Sequence, residues 1–253
     1  MYAKKPSKSQ LPDKTPFTIH YPHSIDESNR KLTQDYYRVV SIDPGEVNFA
    51  LRIEKRPLVG NIISEVFDKY CLTEYSTNAE TGVCTIYTQL NNLLDQYLDL
   101  FLSSHFIIIE RQLPVNYKMV RMSQHVITYF CIRLKDAELL PLIIEVDPKL
   151  KSKQLNAPKD DRDVKKWSIT YALEILSYRQ DWDAIEFIKT SPKRKQDDLA
   201  DTVTQIEAVF SYLGLPLTPK PLTIKISKIK VPPLPFYPPE KKNPKLKIKI
   251  SND

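Results

Sequence analysis

Cysteine is scarce in this 253-residue chain, and glycine and long apolar runs are scarce too. Cys71, Cys84 and Cys131 are scattered and odd in number, and no Cys or His pair has the spacing of a zinc site, which argues against a disulfide framework and predicts a reducing compartment. No run approaches the roughly eighteen apolar residues of a membrane span, and the N-terminus lacks the apolar core of a secretory signal. We therefore expect no membrane partner, and the N-terminus is also a poor mitochondrial presequence.

Positive charge is concentrated near the C-terminus. The formal net charge is +6, but residues 215–253 hold nine lysines against Glu240 and Asp253, so the rest of the chain is close to neutral. Prolines cluster at both ends. We therefore predict three parts: an N-terminal arm at 1–34, a folded body at 35–214, and a Pro/Lys-rich tail at 215–253. The charge of the tail cannot show that the body binds nucleic acid.

The hydrophobic pattern of the body predicts alternating strands and helices. Alternating or β-branched runs predict five strands, at 36–43, 47–54, 62–72, 106–110 and 142–146. Runs with the 3.6-residue period predict helices at 83–102, 118–137, 164–176 and 182–188, with a last helix that ends near 213. Short turns make the first three strands an antiparallel meander, of which the second is half-buried, and crossing helices make the others parallel. The predicted fold class is α/β, a five-stranded mixed sheet flanked by helices.

Four carboxylates stand at informative places in this pattern. Asp43 ends the first strand, Glu110 ends a wholly apolar strand, and Asp198 and Asp201 share one rim of the last helix. Adjacent strand ends form the edge of an open α/β sheet where ligands bind. Four acids converging there would repel each other unless divalent cations lay among them, and two such ions can activate a water and stabilise the leaving oxygen of a phosphodiester.

Each of these acids also has a structural interpretation. Asp43 could cap the Pro44–Gly45 turn, Glu110 could pair with Arg111 or with a lysine, and aspartates are favoured in the first turn of any helix. The joint pattern favours the metal site, because an acid that closes a run of isoleucines is costly there.

Three segments carry a family resemblance. Ser41-Ile-Asp-Pro-Gly45, Ile107-Ile-Ile-Glu-Arg-Gln112 and Asp198-Leu-Ala-Asp-Thr202 resemble the acidic motifs of the RuvC-type Holliday junction resolvases, which have the ribonuclease H fold. The likeness is strongest to the poxvirus and yeast-mitochondrial branch and covers roughly residues 36–213. It implies a ribonuclease H-like nuclease domain that acts as a homodimer and cleaves four-way DNA junctions with Mg²⁺ by paired symmetric nicks, leaving 5′-phosphate ends.

The resemblance also implies roles for single residues. It maps the catalytic, metal-binding acids onto Asp43, Glu110, Asp198 and Asp201, with Asp197 as a supporting acid. We expect two Mg²⁺ ions per site, with Mn²⁺ able to substitute. Family members carry lysines between the fifth strand and the next helix; here these are Lys149, Lys151, Lys153, Lys165 and Lys166. Of these we assign Lys151 a catalytic role, although the sequence does not separate it from Lys149.

Other residues are candidates for DNA contact. Further cations that could bind phosphates are Lys118, Arg121, Lys193, Arg194 and Lys195. Leu113 and Tyr117 could wedge into an opened junction, although packing in the core is the interpretation that we favour for both. The alternating runs at 222–231 and 245–250 could form strands or a disordered basic segment.

Three functions remain open from the sequence. The first is a junction resolvase. The second is a broader structure-specific nuclease acting on flaps, bulges or RNA–DNA hybrids, and the third is a catalytically inactive junction-binding protein. The composition, rich in Lys and Ile and poor in Gly, suggests a large DNA virus, with host cytoplasm or a viral replication site as the expected location.

Overall fold

The computed structural model describes residues 16–20, 35–73, 85–158 and 160–218. In these residues a mixed sheet has the strand order β1-β6-β5-β2-β3-β4. The strands are β1 (Phe17–His20), β2 (Tyr36–Asp43), β3 (Phe49–Pro57), β4 (Ile63–Tyr70), β5 (Phe106–Glu110) and β6 (Leu142–Val146). Strands β2, β3 and β4 form the antiparallel meander, whereas β2, β5 and β6 are parallel.

Helices cover both faces of the sheet. They are α1 (Thr85–Asp95), α2 (Leu98–Leu102), α3 (Tyr117–Arg133), α4 (Leu150–Gln154), α5 (Asp161–Arg179), α6 (Trp182–Thr190) and α7 (Gln196–Leu213). One apolar core joins one face of the sheet to α1, α2 and α3. The other face packs against α4 and α7, and a third cluster joins α5 and α6 to α7. None of the helices in the described residues is long and apolar enough to cross a bilayer.

The sheet has one strand more than the five predicted, and the mixed α/β architecture is otherwise confirmed. The additional strand is β1, which lies in the segment that we predicted to be an arm and which pairs antiparallel with β6. Phe17 and Ile19 on β1 pack against the core beneath α7. A four-residue strand has too little pattern to be recognised alone, and this one depends on the open edge of β6.

Most other elements begin or end a few residues from their predicted bounds, and two regions differ more. The helix predicted over 83–102 is divided into α1 and α2. The short helix α4 lies between the strand predicted at 142–146 and the helix predicted at 164–176, where we predicted no element. The strands at 106–110 and 142–146 have the predicted bounds. The predicted strands at 222–231 and 245–250 lie outside the described residues. Cys71 and Cys131 are free thiols.

Strand β3 is buried on both faces, so the prediction of a half-buried strand was wrong. Its polar side chains face α5 and α7 and form what we call the arginine network, comprising Arg52, Glu54, Arg56, Arg179 and Glu207. Glu54 accepts hydrogen bonds from three arginines, and their positive charge outweighs burial and lowers the pKa of Glu54 to about 2. The alternation of apolar and polar residues along β3 therefore reflects one apolar and one polar face, both of which are buried.

Helix α7 is buried on more than one of its faces. Leu199 and Val203 pack against α5 and α6, whereas Ile206 and Phe210 pack against the sheet. The polar residues between them, such as Thr204, are buried as well. The helix lies between the sheet and α5, and its first turns reach the edge where β2 and β5 end.

Candidate active site

The pairing of β2 with β5 brings two of the predicted acids together. Ile42 pairs with Ile109 in parallel register, so Asp43 and Glu110 are the next residues along two neighbouring strands. Val39 and Ile108 pack beneath α7, and alternation places Asp43 and Glu110 on that same face of the sheet. The carboxyl ends of these two strands therefore meet under the first turns of α7.

A tight turn fixes the direction of the chain immediately after Asp43. A Cβ atom added at Gly45 would lie 2.4 Å from the backbone oxygen of Asn48, which is closer than real Cβ atoms come. Only glycine allows this approach, so the turn from β2 into β3 depends on it. Gly45 therefore helps to hold Asp43 at the end of its strand.

Lys151 joins the acids of the sheet to those of α7. Its Nζ lies 2.8 Å from Oδ1 of Asp201 and 3.5 Å from Oε2 of Glu110. The side chain is only 6% exposed, which is unusual for a lysine. Burial lowers the pKa of Lys151, but Asp201 and Glu110 outweigh it and raise the pKa above its usual value. The ammonium group therefore stays charged among the carboxylates.

We call Asp43, Glu110, Asp198, Asp201 and Lys151 the acid cluster. Burial raises the pKa of Asp43 well above its usual range, and the charges of the other three acids raise it further. Burial also raises the pKa of Glu110, against the opposing effect of Lys151. The charges of Glu110, Asp198 and Asp201 therefore all act on Asp43.

Asp198 has the clearest excess of negative charge around it. Burial, followed by the charges of Asp197 and Asp201, raises the pKa of Asp198 to about 7. Its Oδ2 atom is buried and has no hydrogen-bond partner among the described residues. A buried carboxylate oxygen without a donor is costly and favours a cation beside it.

The donor set of the acid cluster fits Mg²⁺, which prefers carboxylate oxygen. Asp43, Glu110, Asp198 and Asp201 are the residues that would hold it. In the described part of the chain no three Asp, Glu, His or Cys side chains lie in an arrangement that could hold a metal ion as it stands, so the fit rests on the chemistry of the donors. The ammonium of Lys151 lies between Glu110 and Asp201.

Two residues of α5 contact the acids of α7. Lys165 Nζ lies 2.6 Å from Asp197 Oδ2, so the charge of Asp197 is paired with a lysine. The hydroxyl of Ser168 donates to Asp201 Oδ1 at 2.5 Å. Helix α5 therefore carries a cation and a hydroxyl to the first turns of α7.

The predicted DNA-binding cations lie in several places. Lys149, Lys153 and Lys166 are exposed near α4 and α5. Residues 193–195 form a 3₁₀ turn directly before α7, in which the side chain of Lys193 is exposed. Of all these cations, the structure brings Lys151 into the acid cluster and Lys165 to its border.

Lys118 and Arg121 lie on the first turns of α3, away from Lys151. Together with Glu46, Ile86, Tyr87 and Tyr117 they line an open cavity of about 190 Å³. Leu113 and Tyr117 are 61% and 62% exposed, so the interpretation of these two as core residues was wrong. Their exposure leaves their predicted contact with DNA open.

The sequence analysis did not identify Lys69 or Ser168 as site residues. Lys69 is in register with Ala50, which pairs in turn with Asp43, so the three lie in one row across the sheet. Burial lowers the pKa of Lys69, and the charge of Lys195 lowers it further, while Asp198 opposes them. The predicted pairing of the meander could have found Lys69, whereas nothing in the local sequence marks Ser168.

Comparisons of sequence give distant viral relatives. No family model matches the chain. It is 25% identical to uncharacterized protein 97L of Invertebrate iridescent virus 3, over 59% of this chain and 69% of the relative. It is 27% identical to uncharacterized protein 170L of Invertebrate iridescent virus 6, over 73% of this chain and 92% of the relative.

Comparisons of structure find junction resolvases. The chain is similar to the yeast mitochondrial Holliday junction resolvase Ydc2, with 18% identity, 72% of this chain and 83% of that chain covered, and a TM-score of 0.48. Thermus thermophilus RuvC gives 14% identity, 70% and 96% coverage, and a TM-score of 0.45. The same enzyme in complex with a Holliday junction substrate gives 16% identity, 70% and 96% coverage, and a TM-score of 0.41. These similarities concern the fold of the backbone and do not assign an activity to this protein.

Proposed function

We propose that this protein is a metal-dependent endonuclease that resolves four-way DNA junctions by paired symmetric nicks. The observation that carries the proposal is a buried ammonium group that bridges Glu110 of β5 and Asp201 of α7, beside Asp43 of β2, on which the charges of Glu110, Asp198 and Asp201 act. Such a site concentrates negative charge where the acids repel one another, and divalent cations relieve that repulsion. Two divalent cations held by carboxylates can catalyse the hydrolysis of a phosphodiester.

Each group in the site has a part in the proposed reaction. When bound, Mg²⁺ supplies an activated water and stabilises the leaving oxygen of the phosphodiester. Asp43, Glu110, Asp198 and Asp201 hold the cations at the edge of the sheet. Lys151 donates hydrogen bonds to the oxygens of the scissile phosphate, where negative charge increases in the transition state.

The choice of a four-way junction rests on the resemblance of the three acidic motifs to those of RuvC-type resolvases. The carboxylates alone do not select a substrate, since the hydrolysis of any phosphodiester uses the same groups. A junction has two-fold symmetry, so we propose a homodimer that places one site on each of two opposing strands. The viral relatives are consistent with the processing of viral DNA, in host cytoplasm or at a replication site.

The test is cleavage of a synthetic four-way junction, labelled on each strand in turn, while Mg²⁺ or Mn²⁺ is titrated. We expect symmetric nicks with 5′-phosphate ends. Asp198→Asn should lower the cleavage rate by at least about 10³-fold, because removing a charged cation ligand forfeits several kcal/mol of transition-state stabilisation. Binding of the junction should persist in this variant. Asp183→Asn, an exposed acid on α6, is the matched control.

Three results would contradict the proposal in different ways. Full cleavage by Asp198→Asn would remove Asp198 from the metal site. Equal cleavage of flaps, bulges or RNA–DNA hybrids in competition would indicate a broader structure-specific nuclease. Tight binding of the junction without cleavage in either cation would indicate a catalytically inactive binding protein.

A further inference from the structure

Ser168 lies inside the contact between α5 and α7 and has no exposed surface. Its hydroxyl donates to Oδ1 of Asp201 at 2.5 Å, and its Oγ lies 3.1 Å from Oγ1 of Thr204. The single hydroxyl proton of Ser168 goes to the carboxylate, so Thr204 is the donor when those two hydroxyls bond. The Thr204 hydroxyl also donates to the backbone oxygen of Asp201 at 3.2 Å, so its one proton is shared between that oxygen and Ser168. These groups form a small buried chain that ends on one carboxylate oxygen.

Two donors act on the same oxygen of Asp201. Lys151 Nζ lies 2.8 Å from Oδ1, which also accepts the hydrogen bond from Ser168. The two donors come from different helices, α4 and α5, so together they restrict rotation of the carboxylate. Neither contact involves Oδ2, which is the oxygen left for a cation. The hydroxyl therefore constrains how Asp201 presents its charge.

Packing alone does not require a hydroxyl at this position. A fully buried hydroxyl is costly unless it has a partner, and alanine would fill nearly the same space between two helices. Ser168 donates to an acid of the cluster, whereas Ser123, which is also buried, has no hydrogen-bond partner among the described residues. The two serines are therefore similarly buried but differ in hydrogen bonding, so they can be compared directly.

We propose that Ser168 is a positioning residue for divalent cation binding, acting through Asp201. This inference rests on the proposed function, because it concerns the same carboxylates. The hydrogen bond from Ser168 holds the Asp201 side chain in one rotamer before the cation binds. The side chain therefore loses less conformational entropy on binding. Hydrogen-bond partners behind a metal ligand change metal affinity by about 10–100-fold when removed.

The experiment measures Mn²⁺ affinity in the absence of DNA, by titration calorimetry and by the electron paramagnetic resonance signal of free Mn²⁺. We expect Ser168→Ala to weaken binding about tenfold. Ser123→Ala should leave it within about twofold. Thr204→Val keeps the shape of its side chain and removes the hydroxyl behind Ser168, so it should give a smaller loss than Ser168→Ala. Thermal unfolding without metal shows whether each variant is folded.

A purely structural role would lower the melting temperature of Ser168→Ala and leave its Mn²⁺ affinity equal to that of Ser123→Ala, which would overturn the inference. Should Ser168→Ala not fold, an unchanged affinity in Thr204→Val would also overturn it. The proposed nuclease is tested separately. A protein that binds Mn²⁺ in this Ser168-dependent way but cleaves no DNA refutes the nuclease and keeps the inference, whereas a protein that binds no divalent cation refutes both.

Discussion

Helix α7 contributes to two buried groups of charges that differ in their balance. Near its C-terminal end, Glu207 joins the arginine network, in which each carboxylate contacts at least two arginines. At its N-terminal end, Asp198 and Asp201 join the acid cluster, in which the one lysine pairs with two of the four carboxylates, Glu110 and Asp201. With Asp181, which lies 3.4 Å from Arg52, the first group sets three carboxylates against its three arginines. The second has an excess of negative charge that it does not satisfy.

The two groups shift the pKa values of their acids in opposite directions. Arginines lower the pKa of Glu54 to about 2, whereas burial and neighbouring acids raise the pKa of Asp198 to about 7. A buried acid with a lowered pKa stabilises the fold in its charged form, and an acid with a raised pKa opposes folding in that form. Balanced charges therefore mark a structural role here, and unbalanced charges mark a site for an external cation.

The largest expected effect comes from breaking the balanced group. Glu54→Gln leaves Arg52, Arg56 and Arg179 buried with one charged partner fewer, and such uncompensated charge costs about 3–5 kcal/mol of unfolding free energy. Chemical denaturation measures the loss. Asp136→Asn removes one partner of an exposed pair and should change the free energy of unfolding by less than about 1 kcal/mol. Equal stability of these two variants would show that the arginine network is not structural.

A second change makes the acid cluster more unbalanced. Lys151→Met removes its one internal cation, so the carboxylates repel more strongly and an external cation gains more by entering. We expect Mg²⁺ affinity to rise by about 10-fold to 10³-fold, since one charge at about 4 Å is worth between about 1 kcal/mol in water and about 4 kcal/mol at intermediate dielectric. Cleavage should fall at the same time, because the phosphate loses a donor.

The control for this change is Lys153→Met, an exposed lysine on the same helix, which should leave Mg²⁺ affinity unchanged. Calorimetric titration measures both variants. A weaker Mg²⁺ affinity in Lys151→Met would mean that this lysine organises the acids and does not compete with the cation for them.

The smallest expected effect relieves the imbalance. Between pH 4 and about 7 the folded protein holds a proton on Asp198 that the unfolded chain has released, so the free energy of unfolding falls as the pH rises through this window. Asp198→Asn removes the titrating group and should flatten this slope. It should stabilise the metal-free protein at pH 8 by at least about 1 kcal/mol, which is less than the full pKa shift would give because Asp198 is partly exposed and therefore screened by solvent. Thermal melts from pH 4 to pH 8 measure both.

Glu54→Gln provides the opposite case for the pH series. Because Glu54 has a lowered pKa, its contribution is present above about pH 4.5 and decreases as the pH falls toward 2. The two variants should therefore change opposite ends of the stability curve. A parallel shift in both would contradict the assignment of one balanced and one unbalanced group.

Much of the fold and most of the acid cluster could be predicted from local sequence. The strand that ends at Asp43 and the strand that ends at Glu110 have periodic patterns and clear stops, and the register of parallel strands then brings their ends together. Asp198 and Asp201 were predicted on one helix rim. Lys151 was a candidate by its place after the fifth strand, although only the structure separates it from Lys149, which is exposed.

The remaining features depend on partners that are distant in the chain. The polar residues of β3 looked like a solvent-exposed face, because Arg179 and Glu207, which satisfy them, lie more than a hundred residues away. Ser168 could not be predicted for the same reason, since its hydrogen bond to Asp201 forms only when α5 packs against α7. β1 has a pattern too short to be recognised without the neighbouring strand.

Strand β1 also has a consequence for how the protein behaves at high concentration. It covers the outer edge of β6 with four paired residues, and β6 is otherwise a strand with open backbone N–H and C=O groups. Open strand edges are templates for pairing with another chain, which leads to aggregation. A fragment that begins at residue 35 would lack β1 and expose the edge of β6. We therefore expect such a fragment to aggregate more readily than the whole chain.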